Sequence, residues 1–93
     1  MLYRIIIEPE ALQNLMNIKL YITRNDTSVK ANKFISELKK SINSLAQMPQ
    51  RCRKSYYTDV TNSHDLIYKK YTTVYKIQNG TVYVVSIFKQ REN

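Results

Sequence analysis

The chain has 93 residues, 43% of them hydrophobic, which suffices for one modest core and a single domain over 1–93. So small a core argues against a deep substrate cavity, and any site is expected in a surface groove or on a concave face. The net charge of +8, from 15 Lys and Arg against 7 Asp and Glu, favours polyanions or acidic proteins as partners.

Residues 2–7, LYRIII, read as a strand, because β-branched and aromatic residues dominate. Glu8-Pro9-Glu10 stops it and opens a helix, since Pro suits the first helical position and acids suit its positive end. Ala11, Leu15, Ile18 and Ile22 then form one apolar stripe over about four turns. Asn25-Asp26-Thr27-Ser28 breaks that helix, and Thr27 or Ser28 can cap the next. A second helix is expected over 29–47, with Ala31, Phe34, Ile35, Leu38, Ile42 and Leu45 on its apolar face. Together they suggest an antiparallel helical hairpin. Residues 48–63 are polar and irregular. Strands follow over 64–70, 72–78 and 81–88, the last two joined by Asn79-Gly80. That dipeptide is a strong hairpin signal, because a type I′ turn needs positive φ at both positions. The order β-α-α-β-β-β describes an α+β fold, a helical hairpin on a small, mainly antiparallel sheet.

A two-residue turn fixes register, so Tyr75 should oppose Val84 and Val74 should oppose Val85. One face then carries Tyr71, Thr73, Tyr75, Ile77, Val82, Val84, Ser86 and Phe88, and should lie under the helices. The other carries Thr72, Val74, Lys76, Tyr83, Val85, Ile87 and Lys89. An open face this apolar is unusual for a free monomer. Either the 48–63 loop folds over it or another chain docks there.

The lone cysteine, Cys52, can form no internal disulfide, and with no signal peptide in view it points to the reducing cytosol. Ile5-Ile6-Ile7 is far short of a membrane span of roughly 20 residues. One Cys and one His cannot supply four zinc ligands, and no metal or cofactor is implied. No phosphate loop or serine elbow is present. His64 is a conceivable general base, but only its neighbour Asp65 is available to orient it. Cys52 lies between Arg51 and Arg53, which favour a thiolate, yet it lacks a base partner. The basic residues carry more information: Arg51, Arg53 and Lys54, then Lys69 and Lys70, then Lys89 and Arg91. If strand order brings these clusters together, they would suit a phosphate or a carboxylate-rich helix. Tyr56, Tyr57 and Tyr71 would suit stacking on bases.

The chain resembles the RelE/ParE superfamily of bacterial type II toxins. The resemblance rests on the opening strand with Glu8-Pro9-Glu10-Ala11-Leu12, the second-helix pattern, Pro49 with Arg51, the stretch Tyr71 to Ile77, and the ending VYVVSIFKQREN. It implies a toxin neutralised by a cognate antitoxin. ParE-like members poison DNA gyrase by binding, whereas RelE-like members cleave mRNA on the ribosome. RelE-like nucleases place an arginine directly after the first residue of the Y-x-x-V-Y stretch, where this chain has Thr72. A hydroxyl supplies no fixed positive charge to a transition-state phosphate. The expectation is therefore a ParE-like, non-enzymatic gyrase inhibitor, cytoplasmic, of the kind that stabilises plasmids and arrests growth. Arg51, Arg53, Lys89 and Arg91 remain as catalytic candidates for the alternative, a ribosome-dependent endonuclease. A further alternative is a non-toxic member that only binds antitoxin. In each case the antitoxin is expected on Val74, Lys76, Tyr83, Val85, Ile87, Lys89 and Arg91, with Tyr83 and Arg91 as anchors.

Overall fold

The computed structural model describes residues 2–89. Strand β1 (Arg4–Ile7) leads into helices α1 (Pro9–Asn25) and α2 (Ser28–Asn43). Two short 3-10 turns, Ser44–Ala46 and Pro49–Arg51, then connect to β2 (Arg53–Lys54), β3 (Ser63–Tyr68), β4 (Tyr71–Gln78) and β5 (Thr81–Lys89). The helices start where local chemistry directs. Glu8 is extended, with Pro9 in the first turn behind it. The Thr27 side chain accepts the Lys30 N–H at 3.1 Å, a cap contributing about 1 kcal/mol.

The sheet runs β1-β5-β4-β3-β2, with β1 parallel to β5 and the other pairs antiparallel. It therefore holds one strand more than the sequence suggested: the two-residue β2 pairs on β3 at the far edge. Asn79 and Gly80 both take positive φ, 50° and 73°, as the turn requires. Lys69, in the β3–β4 turn, also has positive φ, 53°.

The core forms between the helical stripes and one sheet face. Ala11, Leu15 and Ile18 of α1 and Ile35, Leu38 and Ile42 of α2 pack on Tyr75, Val82, Val84 and Ile87. Ile87 corrects the expected sorting of faces. The register runs as anticipated from Gln78↔Thr81 to Tyr75↔Val84, then shifts so that Val74 pairs with Ser86 and Thr73 with Ile87. Val85 is the extra residue of a β-bulge, which re-aims every side chain beyond it. Ile87 consequently turns under the helices, 2% exposed, while Ser86 and Phe88 move to the outer face. Lys89 also belongs to the helix side, its Nζ 5.9 Å from the Tyr21 ring of α1. The Asn14 side chain of α1 accepts the Ile87 N–H at 2.9 Å, tying helix to strand just beyond the bulge.

Candidate functional site

The outer sheet face, turned away from the helices, holds most of the residues expected to meet a partner. Lys76 and Tyr83 are register partners, with the ammonium 5.4 Å from the ring centroid. Ile6 on β1 pairs with Tyr83 from the other side. Val85, unpaired at the bulge beside outward Ser86, is half-exposed and takes no part in the core, which places it with this face. Ile6, Lys76, Tyr83 and Val85 thus form one half-exposed apolar and cationic strip.

The segment between β2 and β3 folds over the other half of the face. Its Tyr56 N–H donates to Asp65 Oδ2 at 3.1 Å, and Tyr57 meets Phe88 edge-on with ring centroids 4.8 Å apart. Between these two anchors Val74 is only 3% exposed, so it shares the face but offers a partner little surface. The covering loop expected from the sequence is thus present over half of the sheet face, and the other half stays uncovered. Ile87 lies in the core and Lys89 on the helix side, so neither contributes to this face. Arg91 lies outside the described residues.

Among the described residues the basic candidates are dispersed, and most are engaged. The Arg51 guanidinium donates to the carbonyls of Ser44 and Gln47 and to Ser44 Oγ, at 3.2, 2.8 and 2.7 Å. It closes the end of the α2 region, where carbonyls lack helical partners and a cation is favoured. Arg53 reaches Asp65 Oδ2 at 3.4 Å and lies 4.1 Å over the Tyr56 ring. Lys69 pairs with Glu37 at 3.7 Å. Lys69 and Lys70 share one end of the sheet with Lys89, because Tyr71 pairs with Lys89. Arg53 and Lys54 stand on β2, separated from β5 by β3 and β4. At about 4.8 Å per strand, that separation is roughly 14 Å, too wide for one phosphate. Among the described residues, then, the Arg53 and Lys54 cluster stays apart from the lysines at the other end of the sheet.

Asp65 is the residue whose importance the sequence least disclosed. Its side chain is fully buried, and Oδ1 has no hydrogen-bond partner among the described residues. Nothing in the sequence marks it, since its partners come from a strand of two residues and the loop beyond it. Thr72, at the position where nucleases would carry arginine, is 0% exposed and its hydroxyl is also unpartnered. His64 stacks on Tyr75 with centroids 5.6 Å apart, and Cys52 packs against the core. Burial, reinforced by a contact with Cys52, pushes the Tyr75 hydroxyl well above the usual tyrosine range, and it donates to the Pro49 carbonyl. It is a structural donor at neutral pH. Across the sheet end, the Tyr68 hydroxyl donates to Glu37 at 2.8 Å and holds that carboxyl below its ordinary value. Among the described residues no group of His, Cys, Asp and Glu is placed to hold a metal ion, and no helix is long and apolar enough to cross a membrane.

The helical hairpin laid over this bulged mixed sheet is the architecture of the RelE/ParE superfamily of toxins. It is similar to the chromosomal ParDE toxin–antitoxin system from P. aeruginosa, with TM-score 0.83 and 13% identity over 97% of this chain and 98% of that one. It is also similar to the toxin–antitoxin complex RelBE2 from Mycobacterium tuberculosis, with TM-score 0.72 and 13% identity over 98% and 94% of the two chains. No curated protein matches the sequence. Within the superfamily, the chain belongs to the family described as ParE toxin of type II toxin-antitoxin system, parDE, which it matches over residues 5–93.

Proposed function

We propose that this protein arrests growth by binding DNA gyrase and that a cognate antitoxin holds it inactive. The observation that carries a binding mode of action, as opposed to RNA cleavage, is the dispersal of the candidate cations among the described residues. Cleavage needs a base, an acid and a fixed positive charge within hydrogen-bond reach of one phosphate. Arg51 is occupied at the end of the α2 region, Arg53 at Asp65, and Lys89 beside Tyr21. Thr72 is buried and carries no charge.

The antitoxin contact is assigned to the uncovered strip of Ile6, Lys76, Tyr83 and Val85. An amphipathic acidic segment fits it: apolar side chains against Val85 and Ile6, carboxylates toward Lys76. Tyr83 is the anchor, because aromatic residues at the centre of such patches carry most of the binding energy. Both structures cited above come from toxin–antitoxin systems, which supports a partner of this kind. The site of action is the cytoplasm, where gyrase works.

The test combines growth arrest on expression with supercoiling by purified gyrase. Loss of supercoiling and gyrase-linked double-strand breaks are expected. Normal supercoiling in the presence of folded, growth-arresting protein refutes the reading. Message cleavage in a translating extract would replace it with the endonuclease alternative. Absence of any growth arrest would leave only antitoxin binding.

A further inference from the structure

Beside the covering segment, and apart from the strip assigned to the antitoxin, is a cleft of about 530 Å³. It is lined by residues of β2, the 55–62 segment and the start of β3. Lys54 and His64 both line it and stand directly opposite each other in the β2–β3 ladder. Opposed residues project to the same side with Cβ atoms about 5 Å apart. The ladder continues one step beyond β2, through the Ser55 N–H to the Ser63 carbonyl at 2.9 Å, which fixes the pair's backbone.

The state of the histidine ring follows from its contact. His64 Nδ1 lies 2.9 Å from the Cys52 carbonyl oxygen. A carbonyl only accepts, so Nδ1 carries the proton and donates it. The ring is held from its side by the Tyr75 stack, with planes 20° apart. Nε2 is then the nitrogen left for a ligand. Two hydroxyls add donors: Ser55 Oγ accepts the Tyr57 N–H at 3.1 Å, and Thr58 Oγ1 accepts the Val60 N–H at 3.2 Å. Each hydroxyl accepts through oxygen, so its own proton remains to be donated. Both residues line the cleft.

The geometry points to a binding site for a phosphate monoester. Lys54 and the Ser55 and Thr58 hydroxyls supply donors to phosphoryl oxygens, in the field of a chain with net charge +8. The contact with His64 Nε2 requires one proton between ring and ligand. A phosphate monoester, whose second ionisation falls near pH 6, brings that proton on its own P–O–H, which donates to Nε2. A fully ionised sulfate brings none. Asp59, also in the lining, opposes an anion and sets a limit on the affinity.

The experiment titrates the full-length protein with inorganic phosphate, glycerol phosphate and sulfate, followed by calorimetry and backbone amide NMR. Both phosphates should bind saturably, with shifts confined to residues around Ser55, Thr58 and His64. Sulfate should bind roughly tenfold more weakly or worse, the worth of one charge-assisted hydrogen bond. His64→Gln and Lys54→Ala should each lose a similar factor at unchanged circular dichroism, and Asp59→Asn should gain affinity. Equal binding of sulfate, full affinity in His64→Gln, or shifts spread over the lysine-rich surface would overturn the assignment. So would binding of a short RNA without binding of either monoester.

Discussion

The bulge at Val85 makes opposite demands on two neighbouring aliphatic residues, and truncating each in turn tests it. Ile87→Ala removes three carbons from a site 2% exposed. At about 0.8 kcal/mol per buried methylene, the transfer loss is roughly 2.4 kcal/mol. Ala11, Leu15 and Ile18 are fixed along a helix and Tyr75 is held through its hydroxyl, so the space collapses only partly. A cavity contribution brings the expected cost to about 3–4 kcal/mol, within the usual range for such truncations. For a domain whose total stability is on the order of 10 kcal/mol, that is a large share. Val85→Ala removes two carbons from a half-exposed outer position and should cost roughly 1 kcal/mol or less. Urea unfolding followed by circular dichroism measures both, and the melting temperature of Ile87→Ala should fall by roughly 10 °C or more. A cost under about 1 kcal/mol for Ile87→Ala together with a larger one for Val85→Ala would refute the shifted register.

Asn14→Ala should cost about 1–3 kcal/mol by stranding the Ile87 N–H, and that amide should lose hydrogen-exchange protection selectively. Arg51→Ala should lower stability by about 1 kcal/mol through the freed carbonyls of Ser44 and Gln47, while toxicity per folded molecule stays unchanged in growth assays. Glu37 is held below its ordinary value chiefly by the Tyr68 hydroxyl, so its contribution is present above the unfolded-state carboxyl range. That contribution is lost as pH falls through the lowered folded value. The stability gap between wild type and Tyr68→Phe in urea titrations should therefore close on acidification. A gap that widens in acid would contradict the assigned hydrogen bond.

Much of the fold was legible because local signals agreed with one another. Pro9 behind an extended Glu8, Thr27 before α2 and the Asn79-Gly80 pair each acted where its backbone chemistry directs. The stripe of Ala11, Leu15 and Ile18 found the core as its spacing required. The bulge was not legible, for a physical reason. In VYVVSIF, valine, isoleucine and phenylalanine satisfy either face, so alternation cannot report a slipped residue. The misplacing of Ile87 and Lys89 and the opposite error at Ser86 and Phe88 all follow from that single insertion. The strand of Arg53 and Lys54 is too short to have a period at all. The candidate site suffered similarly. A charge count reveals cations but not their partners: Arg51 finds carbonyls only because the chain turns back after α2, and Arg53 finds its carboxylate through the β2–β3 pairing.

The parallel pairing of β1 with β5 bears on how the polypeptide is born. Strand β1 is made well before its sheet neighbour β5, which follows only after two helices and three other strands. Until Val82, Val84 and Ile87 emerge, the helical hairpin lacks the sheet face it packs on, so the native core forms late. The complete fold thus forms in one late step, when translation of this stretch is already done.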